Sequence, residues 1–292
     1  MDLNKAVVLG NGYIGSAFAN AGLPCIDSSK FRYKGSAFNY ESNFLLLIPL
    51  LEDYDIIINC MGWTDTRTSE LPENFKEVYY INALFVHELS QYCEENDKKL
   101  IHISSGDIYG NVSDIADVTS GSVIQKAYEQ TIESTKKFDI ETNYRFSKVA
   151  GDKFCNPKDL ILRIRLPFDG RKHRKNLIYK ARNFTKFYHF QNTFTYVPDL
   201  INATKVLIDN NQTGVFNIAQ YEPASILYLM RNILQLPHLQ NIDIHDKNDP
   251  NLITEYNMIN IHNDMNTDKL REFYKPINLD AAWKVSWEQL NG

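Results

Sequence analysis

Tyr144 and Lys148 stand four residues apart in the segment NYRFSKVAGDKF. On a helix that spacing puts both side chains on one face, about a turn apart. An ammonium so placed favours the tyrosinate by charge attraction, so the phenol can act as acid or base nearer neutral pH than its ordinary value of about 10 allows. Ser105 follows the apolar run LIHIS, at the carboxyl end of a predicted strand, where ligands of doubly wound folds bind. Its hydroxyl could hold a substrate oxygen that exchanges a proton with Tyr144. Each group also has a plainer reading: a tyrosine and lysine on a surface helix, and a serine that caps a turn.

Gly10, Gly12 and Gly15 form GxGxxG within GNGYIG, after a valine-rich run and at the start of a helical stretch. The first two glycines permit a tight turn and close approach of the backbone to a pyrophosphate. The third lets the helix pack on the strand, and the helix N-terminus offers N–H donors to the anion. Such a fingerprint wants an acidic residue about 20 positions on, for the adenosine ribose. Asp27 ends the second predicted strand and favours NAD. Ser28, Ser29, Lys30 and Arg32 follow at once and suit the 2′-phosphate of NADP instead. Asp27 merely opening a turn is the plainer alternative.

Positioning these groups falls to strands predicted at residues 5–9, 24–27, 55–60, 100–104 and 160–164, alternating with helices at 13–21, 75–93 and 143–154. Continuous β-branched runs such as DIIINC read as strands buried on both faces. The alternation implies an α/β fold, a Rossmann-type doubly wound parallel sheet with helices on both faces. After Pro167 the pattern loosens. Residues 1–165 are therefore expected to form the dinucleotide domain and 166–292 a smaller substrate part, with some return of the chain.

A net charge of −5 argues against a nucleic-acid partner, because the phosphate backbone is held mainly by Lys and Arg. The longest apolar cluster, residues 44–51, contains Pro49 and falls far short of the ~20 residues a membrane span needs. MDLNKAVVLG does not read as a signal peptide. Cys25, Cys60, Cys93 and Cys155 lie far apart, which fits thiols in a reducing compartment. The seven histidines show no HxxxH or HExxH spacing, so no zinc is expected. These features predict a soluble, cytoplasmic protein. Residues 163–182 gather Arg163, Arg165, Arg171, Lys172, His173, Arg174, Lys175, Lys180 and Arg182. One or two of these suit a diphosphate, and the remainder a solvated face.

The motifs GNGYIG, DIIINCMGWT, YINALFVHEL, ISSGDIYG, YRFSK, LRIRLP, FTYVPDLINA, GVFNIAQYEP and DMNTDKLREF resemble, in that order, those of the extended short-chain dehydrogenase/reductase family, the NAD-dependent epimerase/dehydratase group. The resemblance runs nearly the full chain. It implies a Rossmann domain with a nucleotide-sugar-binding C-terminal part, a nucleotide-sugar substrate and, since such enzymes are commonly dimers, a homodimer. By motif match, Ser105, Tyr144 and Lys148 are catalytic, with Lys148 also contacting the nicotinamide ribose. Gly10, Gly12, Tyr13, Ile14, Gly15, Asp27, Cys60, Gly62, Thr64, Asn82 and Pro167 would line the cofactor, NAD or NADP. Asp107 and Arg174 would join Ser105 and Tyr144 at the substrate. For Asn82 the alternative is a helix residue that bonds a backbone group.

Short length and GWTDTRTSE look most like the dTDP-4-dehydrorhamnose reductase type, which implies reduction of a 4-keto-6-deoxy sugar nucleotide. Asp107 stands where bifunctional epimerase–reductases carry a cysteine, and Gly106–Asp107 supplies half of the dehydratases' acidic pair. The gap between Ser105 and Tyr144 is longer than the family's. A 4-epimerase or dehydratase with tightly bound NAD stays open as the alternative. A non-catalytic dinucleotide sensor is the third reading, and intact Ser105, Tyr144 and Lys148 count against it.

Overall fold

Uninterrupted apolar runs build the central sheet. The computed structural model describes residues 5–30, 40–109, 142–184, 187–188, 191–235, 244–245 and 265–292. Arg32 and the long connection between Ser105 and Tyr144, residues 110–141, lie outside the described residues. Strands β1 (Ala6–Leu9), β2 (Cys25–Ile26), β3 (Ile56–Asn59), β4 (Lys99–Ser105), β5 (Leu160–Ile164) and β7 (Gly214–Ile218) form one sheet in the order β2-β1-β3-β4-β5-β7. The pairings β1–β2, β1–β3 and β3–β4 are parallel, and Leu9, Asn59 and His102 stand in one row across β1, β3 and β4. Every residue of β1 and β3 is buried, as expected of strands covered on both faces. The chain departs from β1 toward β2 and returns past β1 to β3, so the loops after β1 and β3 sit at a switch point of the sheet.

Helices α1 (Tyr13–Asn20), α2 (Tyr40–Leu51), α3 (Phe75–Tyr79), α4 (Phe85–Glu95) and α5 (Asn143–Phe154) connect these strands. Val7, Leu9, Leu47, Leu51, Ile57 and Leu89 belong to a shared apolar cluster that presses α2 and α4 on the sheet. Residues 75–93 were expected to form one regular helix. Instead a π-helical turn, Tyr80–Leu84, separates α3 from α4. Such single π turns recur at functional sites, where the extra residue re-aims side chains.

The described residues divide into two compact units. Those up to Ile108, those from 142 to Arg163, and Thr204–Phe216 make the first. Tyr109, Ile164–Ala203 and the described part of Asn217–Gly292 make the second. The second unit includes the helices α6 (Leu177–Ala181) and α8 (Leu279–Asn291) and a parallel pair of strands, β6 (Phe187–Tyr188) and β8 (Ile244–His245). Helix α7 (Val197–Asp209) spans the boundary at residues 203/204. The core of the second unit is aromatic: Phe168, Phe194, Tyr196 and Trp283 pack within one cluster, with Phe168 and Trp283 ring centroids 5.4 Å apart. Among the described residues, no helix is long and apolar enough to cross a membrane.

Candidate active site

Gly10 leaves β1 with φ +91°, a left-handed conformation that favours glycine. Its N–H donates to the Ile26 carbonyl at 2.9 Å, which ties the loop to the end of β2. A Cβ on Gly15 would collide with the Gly10 carbonyl oxygen, so the helix packs on the loop only with glycine there. A Cβ on Gly12, by contrast, would meet nothing within 4 Å. Gly12 is the N-cap of α1 and supplies no side-chain cap. An uncapped helix start behind an open glycine fits a pyrophosphate, whose charge the N-terminal amides and the helix dipole favour. Tyr13 is buried in this turn, and Ile14 is half-buried.

Asp27 follows β2 directly, and its Oδ1 accepts the Ser29 N–H at 2.8 Å. That backbone bond is the main reason its carboxyl lies below the usual range. The turn-opening role is thus realised, beside the glycine loop where a ribose would be met. Cys60 follows β3, where its N–H donates to the Leu9 carbonyl at 3.0 Å, and burial pushes its thiol up. Thr64 is exposed.

Gly62 brings the backbone against two predicted site residues. A Cβ there would stand 3.0 Å from Lys148 Nζ and 3.1 Å from Asn82 Oδ1. Asn82 lies in the π turn, and its amide clasps the Trp63 peptide: Oδ1 accepts the Trp63 N–H at 2.9 Å, and Nδ2 donates to the Trp63 carbonyl at 3.2 Å. Nδ2 also donates to Ser147 Oγ at 3.0 Å. Asn82 therefore ties the loop after β3 to α5, with the backbone bonds that its alternative reading describes.

Ser105 is the last residue of β4. Its Oγ accepts the Asp107 N–H at 3.2 Å, and its side chain acts on the Tyr144 phenol in the direction that favours the phenolate. Tyr144 and Lys148 lie on α5 and are only 6% and 3% exposed. Charge attraction was expected to lower the Tyr144 phenol. In this structure burial pushes it above its ordinary value of 10, Ser105 pulls it down, and Asp152 adds an upward push. Desolvation of the phenolate outweighs the favourable contacts, so the phenol keeps its proton at neutral pH. Asp107 contributes its backbone here: Arg145 Nε donates to the Asp107 carbonyl at 3.0 Å, pinning the turn after β4 to α5.

His102, fully buried in β4, is held well below its ordinary value by burial first and by Lys148 second. Asn59 Nδ2 lies 3.3 Å from its Nδ1. With the amide as donor, the ring is neutral and its proton sits on Nε2.

Sequence reasoning missed the polar network beneath α5. Asp152 is buried, and Ser104 Oγ donates to its Oδ1 at 2.5 Å while Arg163 Nε donates to its Oδ2 at 2.9 Å. One carboxylate thus joins α5 to β4 and β5. This corrects the reading of Arg163, which the basic stretch groups with cations facing solvent or a diphosphate. Arg163 is 0% exposed and committed to an internal ion pair. The spacing of Asp152 four residues after Lys148, on the buried face of α5, was the available signal.

In the second unit Arg165 is likewise buried, with Nη2 donating to Asn192 Oδ1 at 2.9 Å. Pro167 is half-buried, after Leu166 at φ +40°, and Arg174 is exposed. Arg171 donates from Nε to Asp169 Oδ2 at 2.6 Å. The structure therefore gathers Gly62, Asn82, Ser105, Tyr144 and Lys148 within the first unit, and places Pro167 and Arg174 in the second.

A glycine loop stands at the first strand–helix junction, with serine at the end of β4 and tyrosine and lysine on α5, and the doubly wound parallel α/β fold that the motif resemblance implies is the one observed. The profile of an NAD-binding family described as male sterility protein matches residues 47–164. Among solved structures the chain is similar to dTDP-4-dehydrorhamnose reductase from Bacillus anthracis in complex with NADP (TM-score 0.72, 16% identity, 97% of this chain and 98% of that one). It is similar to the L780 UDP-rhamnose synthase from Acanthamoeba polyphaga mimivirus (0.68, 18%, 97% and 99%). A third is UDP-glucuronic acid 4-epimerase from Bacillus cereus in complex with NAD (0.65, 16%, 98% and 96%). No curated protein sequence matches the chain.

Proposed function

We propose that the chain is an NAD(P)-dependent oxidoreductase that reduces the 4-keto group of a 6-deoxy sugar nucleotide. The observation that carries this reading is the placement of Ser105 at the end of β4 and of Tyr144 and Lys148 one turn apart on α5, with the Ser105 side chain acting on the buried Tyr144 phenol. The glycine loop of Gly10, Gly12 and Gly15 would hold a reduced nicotinamide dinucleotide, which would supply the hydride. The Ser105 hydroxyl holds the substrate carbonyl oxygen, and Tyr144 hands its proton to that oxygen as negative charge develops there. Lys148 stabilises the tyrosinate left behind. A phenol raised above 10 is stocked with its proton at neutral pH, which suits the reductive direction.

Two of the similar structures are a dTDP-4-dehydrorhamnose reductase and a UDP-rhamnose synthase, and the segment GWTDTRTSE points the same way. Asp27 at the end of β2 favours NAD over NADP. The family resemblance adds a homodimer, which sedimentation would check.

The test is to denature freshly purified protein and quantify the dinucleotide it releases. Protein that is empty as purified and binds NADH or NADPH reversibly supports the reductase. Near-stoichiometric NAD would instead mean a cofactor recycled in place, the behaviour of a redox-neutral 4-epimerase or dehydratase.

A further inference from the structure

We infer that Glu70 is a positioning residue for Tyr144: its carboxylate takes the first two amides of α5 and fixes where the helix that carries the phenol begins. This rests on reading Tyr144 as the proton donor. Glu70 Oε2 accepts the Asn143 N–H at 2.8 Å, and Oε1 accepts the Tyr144 N–H at 3.3 Å. Thr142, the local N-cap, separately accepts the Arg145 N–H at 3.2 Å. A helix needs side chains or water for its first amides, and Thr142 alone meets the usual capping requirement. A carboxylate from 73 positions earlier does something a local cap cannot, because it specifies where in the fold the helix start is docked. Its negative charge also suits the positive end of the helix dipole.

Glu70 is itself held. It ends the short 3₁₀ turn Thr68–Glu70, and Ser69 Oγ donates to its Oε1 at 3.0 Å. Asp65 Oδ1 accepts the Arg67 N–H at 3.0 Å, Asn74 Nδ2 donates to the Thr68 carbonyl at 2.8 Å, and Trp63 Nε1 donates to Thr68 Oγ1 at 3.2 Å. The Trp63 peptide is clasped by Asn82, which reaches Ser147 on α5. The bonds close a ring from α5 through Asn82, Trp63 and Thr68 to Glu70 and back to α5. Segment GWTDTRTSE is in this account a brace between the loop beside Lys148 and the start of the tyrosine helix.

The test compares Glu70→Ala, Glu70→Gln and Thr142→Ala in the full chain. Thr142→Ala removes a cap of the same helix while leaving both Glu70 contacts. Thermal midpoints report the stability loss of each variant. Fluorescence titration with NADH reports the cofactor site, and the ¹³Cζ resonance of labelled tyrosine, assigned by its loss in Tyr144→Phe, reports the phenol. Because sub-ångström to 1 Å misplacement of a reacting group costs up to about 100-fold, Glu70→Ala should lower kcat on a 4-keto sugar nucleotide about 10- to 100-fold. NADH affinity should stay within about 2-fold and the Tyr144 resonance should move. Glu70→Gln, which keeps an acceptor oxygen, should recover part of both effects. Thr142→Ala should lose less kcat than Glu70→Ala at equal loss of thermal midpoint. Equal kcat losses at equal stability, or an unmoved Tyr144 resonance in Glu70→Ala, would overturn the inference. Normal turnover by Tyr144→Phe would sink the catalytic reading alone, since the resonance still tests the Glu70 contact without turnover.

Discussion

Tyr144 in the first unit and Tyr274 in the second are both pushed upward by burial, yet their partners make them different groups. The Tyr144 phenol meets the neutral hydroxyl of Ser105, on a helix that also carries Lys148. The Tyr274 phenol donates to Asp199 Oδ1 at 2.5 Å, and Asp199 Oδ2 also accepts Gln220 Nε2 at 2.7 Å and the Ile277 N–H at 3.1 Å. Burial first, then the Asp199 bond and charge, take Tyr274 up to about 12. A phenol bonded to a carboxylate is a fastener, because releasing its proton would put two negative charges side by side. The phenol beside the Ser105 hydroxyl has a neutral neighbour, which in the proposed reaction holds the substrate oxygen. Burial raises both phenols, and the charge of the partner separates the proposed proton donor, Tyr144, from the fastener, Tyr274.

The largest break in this comparison should come from Tyr144→Phe. Losing a general acid costs about 10²- to 10⁴-fold in rate, so steady-state assays should show turnover falling by that order while NADH affinity holds. A variant that lost binding and kept turnover would reverse the assignment. Gly15→Ala comes next: a Cβ in contact with the Gly10 carbonyl oxygen is overpacking of the kind that costs about 1–3 kcal/mol or more. Denaturant titration should show that loss, together with loss of NADH binding. Gly12→Ala, with open space around it, should leave stability within about 0.5 kcal/mol and still weaken NADH.

Tyr274→Phe is the mirror of Tyr144→Phe. Removing one donor from the buried Asp199 carboxylate should cost about 1–3 kcal/mol of stability and leave kcat within about 2-fold, as read by urea midpoint and assay. A fall in kcat matching that of Tyr144→Phe would erase the distinction between the two phenols.

The smallest effect is in acid sensitivity. His102 is depressed in the folded protein from its ordinary 6.5, so below about 6.5 the unfolded chain binds the extra proton first. Its contribution is present above that pH and is lost as pH falls toward the folded value, by at most ~1.4 kcal/mol per pH unit. Asp199, pushed above 3.8 mainly by burial, has the opposite sign: stability from it grows as pH falls through its folded value toward 3.8. Urea midpoints at pH 5.5 and 7.5 should therefore converge in His102→Asn, which keeps an acceptor for Asn59, relative to the parent protein.

Much of the frame was legible because it is local. The bounds of α5 and β5, residues 143–154 and 160–164, agree with the helical and β-branched patterns. GxGxxG lies at the first strand–helix junction as its spacing requires. The π turn at Tyr80–Leu84 was not legible, since apolar residues at near-helical spacing look alike with or without one extra residue in a turn. Nor was Glu70: a glutamate in a polar loop carries no mark of a helix start 73 positions away.

The sequence by itself determined the class of fold, the glycine loop and the placement of Tyr144 and Lys148 one turn apart on a helix, because strand period, helix period and glycine geometry act over a few residues. Tertiary structure alone decided that Arg163 neutralises Asp152 inside the first unit, that Asn82 serves the Trp63 backbone, and that Tyr144 is raised rather than lowered. Those outcomes depend on which distant groups exclude water from a charge and which reach it with a hydrogen bond. That balance is set when the strands and helices pack.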